Sequence, residues 1–409
     1  MEIGIIFLLL LLLIMMGIIE QKKNQRNIKK IPLRVNVNGI RGKSTITRMI
    51  SAILSEAGYK NMGKTTGTAP RIIYGHNKIE KEIVRKPRGV TISEQLTVIN
   101  EAATENVDSL VCECMAVNPE YQKIYQNKMI KANIGVIVNV MEDHLDEMGP
   151  TTDQIAQAFT STIPYNGKLI ISEGKYADYF KEVAKKRNTE VYVADENEIP
   201  KGYLDKFEYV LFPNNIAIPL AFGRAMGIDK DVALEGMLKA NPDPGALIVD
   251  NISVNGKNSV FVNSFAANDP NSTIEIWKTL HNDGYLKDTK NKPLVIFNSR
   301  DDRVDRTLQF SKDAIPYLGQ DIDLLLMGSV VEPILKEYNK GSLRNVSKII
   351  NCENKSGFDV KDKVYGLMDD RLIFCIGNIH GEGEVFLEAI NEWESNIYRQ
   401  KLNLEGEGV

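Results

Sequence analysis

The sequence predicts an α/β protein with three parts: an N-terminal transmembrane helix, a P-loop domain built on a mostly parallel sheet, and a smaller Rossmann-like α/β domain. Three observations carry this. Residues 3–19 hold no charged side chain. A turn reading Gly39-x-x-Gly42-Lys43-Ser44 follows a short apolar strand and opens an amphipathic helix. Beyond residue 245, apolar runs of strand length alternate with segments of helical periodicity, the pattern of stacked βα units.

Composition sets the outer limits. A chain of 409 residues, 43% hydrophobic and 25% charged, has an ordinary globular balance, and its length suits two domains after the leading segment. The net charge of -4 gives no reason to expect nucleic acid as a partner. Four cysteines do not make a secreted disulfide framework. Cys112-Glu113-Cys114 is too tight for C-x-x-C metal or redox spacing, so the thiols read as small residues flanking a glutamate on a strand.

The uncharged segment from Ile3 to Ile19 would make roughly 25 Å of helix at 1.5 Å per residue, near the short end of a bilayer span. Lys22, Lys23, Arg26, Lys29 and Lys30 follow it, whereas only Glu2 precedes it. That asymmetry predicts a cytoplasmic C-terminal flank. A cleaved signal peptide would need a basic start and a small-residue cleavage site; Glu2 and the lack of A-x-A argue against one. The expectation is a single-pass anchor in the cell membrane over residues 1–30, with the domains in the cytoplasm.

Leu33 to Asn38 reads as a strand, and Ile46, Met49, Ile50, Ile53 and Leu54 mark one face of the next helix, with Gly58 as its stop. This is the setting a phosphate-binding loop requires. Glycines let backbone N–H groups turn toward a β-phosphate, and the helix N-terminus adds partial positive charge. Asn38, Gly39, Arg41, Gly42, Lys43, Ser44 and Thr45 are the candidate nucleotide contacts. Lys43 would reach the β/γ oxygens, and Ser44 would ligate Mg²⁺. The common pattern places a further glycine where this chain has Val37.

Ser109 to Glu113 reads as a buried strand ending in a carboxylate. Ile134 to Val140 reads as another, followed at once by Glu142-Asp143-His144-Leu145-Asp146. In an open parallel sheet the carboxyl ends of the strands share one edge, so both acidic clusters fall beside the glycine loop. Glu113 and His144 are the candidates for holding metal near a triphosphate, with Ser44. No N-K-x-D is present, which argues against a guanine nucleotide.

Asn241-Pro242-Asp243-Pro244-Gly245 is dense in turn formers and sets the expected boundary between domains at 31–240 and 241–409. Beyond it, Ser259–Asn263, Leu294–Asn298, Leu324–Met327 and Leu372–Ile376 read as strands, and Ser272–Leu280 and Val304–Tyr317 as helices. Polar clusters follow three of those strands: 263–269, 298–303 and Gly377-Asn378-Ile379-His380-Gly381. His380 between glycines suits close approach to a ligand. A basic run, Lys64, Arg71, Lys78, Lys81, Arg85, Lys86 and Arg88, is either a solvated face or a track for a polyanion. Thr66, Thr68 and Arg71 are the candidate carboxylate-binding residues in it.

The combination of Gly39-Ile-Arg-Gly42-Lys43-Ser44-Thr45, the Glu113 strand end and Asn139-x-x-x-Asp143-His144-Leu145-Asp146 resembles the ATP-binding domain of the Mur ligases. Asn215-Ile-Ala-Ile-Pro-Leu-Ala-Phe-Gly-Arg-Ala-Met-Gly227 resembles the helix whose leading asparagine contacts adenine in that family. The likeness is strongest to the ligase subunits of bacterial poly-γ-glutamate synthases. These share the anchor, G-K-T-T-G-T, C-M-A-V-N-P, N-V-x-E-D-H, F-A-A-N-D and G-N-I-H-G. The resemblance implies ATP and Mg²⁺, a glutamate γ-carboxylate activated as an acyl phosphate, and a growing poly-γ-glutamate chain. It also implies that Arg300 or Arg303 neutralises the phosphates, and that other membrane subunits of a synthesis and export complex are partners; a homo-oligomer is left open. Two departures stand out. No domain for a UDP-linked precursor fits between the anchor and the glycine loop. Where most Mur ligases carry a carbamylated lysine, this chain has Phe159 and Thr160. The competing readings are a ligase of the folylpolyglutamate synthase type and a membrane-anchored P-loop ATPase that makes no bond.

Overall fold

The computed structural model describes residues 2–67, 70–75, 79–84, 92–142, 145–207, 209–243, 247–265, 267, 269, 270–282, 284–286, 289–319, 321–391 and 393. The chain forms two compact units. The first comprises 1–204 and 212–243, the second 205–211 and 244–409. The break between Asp243 and Pro244 falls inside the turn-rich stretch, and the short return of 205–211 to the second unit is invisible in the sequence pattern.

The first unit begins with helix α1 (Glu2–Lys30), whose side chains from Ile5 to Ile19 are exposed. By length and composition Ile5–Lys30 is able to cross a membrane. Strand β1 (Leu33–Asn38) leads into α2 (Lys43–Glu56). Then come β2 (Asn61–Lys64), β3 (Arg71–Tyr74), β4 (Ile79–Glu82), α3 (Glu94–Thr104) and β5 (Ser109–Glu113). Helix α4 (Pro119–Ile124) runs directly into a π-helical turn, Tyr125–Ile130. After β6 (Ile134–Ile137) come α5 (Leu145–Met148), α6 (Thr152–Phe159), β7 (Lys168–Ser172), α7 (Ala177–Lys186), β8 (Glu190–Ala194), α8 (Pro213–Met226) and α9 (Lys230–Leu238).

Among the described residues these strands form one sheet in the order β4-β3-β2-β5-β1-β6-β7-β8. It is parallel from β2 to β8, and β3 and β4 extend it antiparallel. β1 lies between β5 and β6, with Val37 opposite Glu113 and Asn38 opposite Ile137. β6 is shorter than the apolar run suggests: the strand ends at Ile137, one last bond runs from the Val138 N–H to the Asn38 carbonyl at 2.9 Å, and the residues from Val138 to Val140 belong to the loop beside Gly39.

Alternation along β1 decides what covers each face. Leu33, Val35 and Val37 pack with Ile46, Ile50 and Leu54 of α2 and with Ala217, Ile218 and Phe222 of α8. The opposite face of β1 carries buried amides. Asn36 donates to Oε1 of Gln126 at 3.1 Å, and Asn38 to Oε1 of Gln122 at 2.9 Å. Two residues along a strand advance about 6.8 Å and four along a helix about 6 Å. Asn at i and i+2 therefore meets Gln at i and i+4, and each asparagine Nδ2 finds a buried acceptor, which offsets part of the penalty for burying the amides. Burial without a partner would cost far more than these bonds contribute.

The second unit alternates strand and helix as the pattern predicts. Its strands are β9 (Ile248–Val254), β10 (Lys257–Asn263), β11 (Leu294–Ser299), β12 (Ile322–Gly328), β13 (Val346–Glu353) and β14 (Arg371–Gly377). Its helices are α10 (Pro270–Asn282), α11 (Val304–Asp313), α12 (Glu332–Asn339), α13 (Gly357–Leu367) and α14 (Glu382–Asn391). The sheet order is β13-β12-β11-β14-β10-β9, parallel except for the hairpin of β9 on β10. The segment expected as one helix over Val304–Tyr317 breaks after Asp313, and a 3-10 turn covers Ile315–Tyr317. Pro316 explains the break, since it has no N–H to continue the ladder.

Candidate active site

The glycine loop is held from both sides. Gly39 has φ +138, and a Cβ there would lie 3.0 Å from Val138 Cβ and 3.1 Å from the Asn139 nitrogen. No side chain fits between the loop and the strand end. Gly42 caps α2 in the left-handed region at φ +79. A Cβ on it would meet Asn215 Nδ2 at 3.1 Å, so Asn215, in the first turn of α8, stands against the loop. Its own carboxamide is oriented by the Phe212 N–H, which donates to Asn215 Oδ1 at 2.9 Å.

Asn139 is the residue that shapes the loop. Its Oδ1 accepts from the N–H of Ile40 at 3.1 Å and of Arg41 at 3.0 Å, and its Nδ2 donates to the Arg41 carbonyl at 3.1 Å. One side chain thus fixes three backbone groups of the turn. Lys43 lies over the loop, donating to the carbonyls of Gly39 and Ile40, each at 2.9 Å. The first turn of α2 contains no acidic residue of its own, so negative charge at the positive end of its dipole has to come from outside the helix. Asn38 is buried, and both ends of its side chain are used internally: Nδ2 on Gln122, Oδ1 on the N–H of Gly39 at 2.9 Å.

Glu113, buried at the end of β5, supplies the charge opposite. Its Oε2 accepts the Ser44 hydroxyl at 2.8 Å and the Thr66 N–H at 2.7 Å. The first turn of α2, the end of β5 and the segment after β2 therefore meet at one carboxylate oxygen. Two hard oxygens at that separation suit adjacent positions around a small octahedral cation with bonds of about 2.0–2.1 Å. Among the described residues no three of His, Cys, Asp and Glu converge as a metal cluster. Asp143 and His144 lie outside the described residues, as does Thr68.

Lys64 corrects an expectation. It is not part of a solvated basic face or a track. It is fully buried, with its ammonium 2.7 Å from Glu94 Oε1. It ends β2, and the chain it fixes leads straight to Thr66. Arg71 is partly exposed, 3.6 Å from Glu82, and its backbone pairs with Thr65 in both directions at 3.0 Å. Lys81 faces Glu101 at 3.5 Å; Lys78, Arg85, Lys86 and Arg88 lie outside the described residues.

Cys112 and Cys114 are buried on either side of Glu113. Burial pushes their thiols up, to about 11 and about 12, so both stay protonated. They pack; they do not ligate. Phe159, at the place of the family lysine, is buried in the core below α6.

In the second unit the three polar loops follow β10, β11 and β14, which are neighbours in one sheet and run parallel. All three loops therefore share an edge. Asn298 ties two of them: its Nδ2 donates to the carbonyls of Asn378 at 2.6 Å and His380 at 3.1 Å. His380 Nδ1 lies 2.9 Å from Glu384 Oε1. Arg300 makes a two-pronged ion pair with Asp302, at 2.8 and 2.7 Å, and Arg303 is exposed at the start of α11.

Comparison with known proteins identifies the family and the fold. Residues 37–218 match the Mur ligase middle domain, and 249–393 match the poly-gamma-glutamate synthase CapB C-terminal domain. The PGA synthase CapB of Bacillus subtilis is 48% identical over 379 residues, 93% of this chain and 95% of that protein. Two solved structures share the fold. The bifunctional folylpolyglutamate synthase/dihydrofolate synthase of Yersinia pestis, complexed with AMPPNP and Mn ion, aligns at TM-score 0.65 with 13% identity, covering 90% of this chain and 92% of that one. MurF of Acinetobacter baumannii aligns at TM-score 0.59 with 14% identity, covering 92% and 78%.

Proposed function

The chain belongs to the poly-gamma-glutamate synthase CapB family, and from that premise we propose that it is an ATP-dependent amide ligase that extends poly-γ-glutamate by activating a γ-carboxylate as an acyl phosphate. The observation that carries the reading is the carboxylate of Glu113 facing the Ser44 hydroxyl across a glycine loop built for phosphate.

In this reading the loop N–H groups from Gly39 to Thr45, with Arg41, cradle the triphosphate, and Lys43 leaves its two carbonyls for the β/γ oxygens. Asn215 contacts the adenine side. Ser44 and Glu113 would hold Mg²⁺, with His144 assigned beside them by its motif. The bound ion would neutralise charge on the transferring phosphoryl group. The substrate carboxylate attacks the γ-phosphorus; the bond to the β–γ bridging oxygen breaks, and ADP leaves. The amine of the incoming glutamate then attacks the acyl carbon and expels phosphate. Thr66, Thr68, Arg71 and His380 are the proposed contacts for substrate carboxylates, and Arg300 or Arg303 for the phosphates. Residues 1–30 anchor the enzyme in the cell membrane, beside membrane subunits that export the polymer.

The test is phosphate release by the detergent-solubilised full chain, with Mg-ATP alone and then with glutamate or short γ-glutamyl peptides. Glutamate-dependent release, with product masses rising in glutamyl steps, is the expected result. Vigorous release that no amino acid changes, with no new amide, would overturn the ligase in favour of an ATPase.

A further inference from the structure

We propose that the face of the first unit around Lys128 docks on anionic lipid headgroups, and that α1 holds it there as a strut with no flexible joint. The proposal rests on the reading of α1 as a membrane span.

α1 is one unbroken helix from Glu2 to Lys30, and its last turns are built into the first unit. Asn24 is buried, and its Nδ2 donates to the carbonyls of Lys128 at 3.2 Å and Met129 at 3.0 Å. Gln25 also reaches the Lys128 carbonyl, at 3.2 Å. Asn27 bonds Asn100 of α3 at 3.2 Å, and Ile28 and Ile31 join the core under α3. Nothing between the apolar run and these contacts can act as a swivel.

That continuity fixes a height. Asn24 lies five positions beyond Ile19, the last of the apolar run, which is about 7.5 Å of helix. The headgroup layer on each side of a bilayer is roughly 5–7 Å deep. Lys128, level with Asn24, stands at the outer margin of that layer, within reach of a lysine stem.

The charges suit anionic lipid. Lys22, Lys23 and Arg26 on α1 are exposed, as are Lys123, Lys128 and Lys131 on and just after the α4–π helix. The same exposed side of that helix shows Tyr121 and Ile124, 54% and 42% accessible. Basic residues interleaved with apolar ones are what an interfacial helix presents. Two nearby carboxylates are matched by lysines, Glu120 by Lys123 at 3.9 Å and Glu101 by Lys81 at 3.5 Å, and the exposed Glu20 is outnumbered by Lys22, Lys23 and Arg26 on the same helix. Because the anchor already confines the face to the surface, even weak headgroup attraction acts at high effective concentration.

The experiment uses the full chain in vesicles carrying a headgroup quencher. All four native thiols are buried, so one introduced cysteine takes a fluorophore selectively. Lys128→Cys is the probe. Lys230→Cys on α9 is the control, because α9 packs on α2 across the sheet from α1. With phosphatidylglycerol in phosphatidylcholine vesicles, quenching at 128 is expected to exceed that at 230 several-fold. It should fall toward the control without phosphatidylglycerol, at 1 M salt where the Debye length is about 3 Å, and in a Lys123→Glu/Lys131→Glu background. Protein should stay with the vesicles through an alkaline carbonate wash in every case. Retained protein whose quenching at 128 matches 230, or ignores lipid charge and salt, overturns the docking and leaves the anchor standing. Release by carbonate overturns both.

Discussion

The Ser44 hydroxyl lies 2.8 Å from Oε2 of Glu113, joining the first turn of the helix after the glycine loop to the end of the neighbouring strand. Glu113→Gln keeps the shape and an acceptor for Thr66 but removes the charge. We expect turnover to drop about a hundredfold or more, and half-saturating Mg²⁺ to rise. Phosphate release measured across a magnesium series checks both. A variant with normal magnesium dependence would remove Glu113 from the metal.

Lys43 holds two loop carbonyls through one ammonium. Lys43→Ala should leave the melting temperature nearly unchanged and lower turnover by about 10²–10³. Lys43→Arg should not restore it, because the planar guanidinium is a different shape of donor.

Asn139 makes three hydrogen bonds to the loop. Asn139→Ala strands the N–H groups of Ile40 and Arg41 and should cost about 1–3 kcal/mol of stability. In steady-state kinetics the KM for ATP should rise more than kcat falls, since the loop that binds phosphate is what loosens.

Lys64, fully buried, pairs with Glu94, which is mostly buried. Lys64→Met alone leaves a buried carboxylate and should cost about 3–5 kcal/mol. Lys64→Met with Glu94→Leu should recover much of that in urea unfolding. Additive losses would show that the two residues do not act together.

Cys112 and Cys114 should resist alkylation at pH 8 in the native protein and react once it is unfolded. Burial raises their pKa to about 11 and about 12, whereas an unfolded thiol ionises near 8.5. Above that value the unfolded chain loses protons that the native chain keeps, so stability falls as pH rises through the window from about 8.5 to 11–12. Below it these thiols add no pH dependence. Unfolding midpoints measured from pH 7 to 11 test the sign.

Much of this architecture was legible because local pattern and tertiary demand agree. The apolar face from Ile46 to Leu54 is fully buried, and the segments read as strands at Leu33–Asn38 and Ser109–Glu113 are strands in the fold. What escaped did so for physical reasons. The strands Asn61–Lys64 and Arg71–Tyr74 are only four residues each, too short to show a period. Lys64 read as surface because charge alone does not reveal a buried partner thirty residues on. Asn139 stood in a quoted motif, yet nothing local says that an asparagine after a strand will grip the backbone of a loop 98 residues away. Asn36 and Asn38 hinted at it: two asparagines inside a buried strand demand partners, and Gln122 and Gln126 at helical spacing are those partners.

The side-by-side register of β5, β1 and β6 also governs where this chain tolerates a change of length. Val37 is opposite Glu113, and Asn38 is opposite Ile137. Deleting one residue within β5 would turn Glu113 to the other face of the sheet, away from Ser44. The three strand ends that carry Gly39, Glu113 and Asn139 therefore admit neither insertion nor deletion. Added residues belong at the opposite edge, in the exposed turn at Glu105 and Asn106 ahead of β5, and a loop graft placed there would leave the phosphate loop in frame.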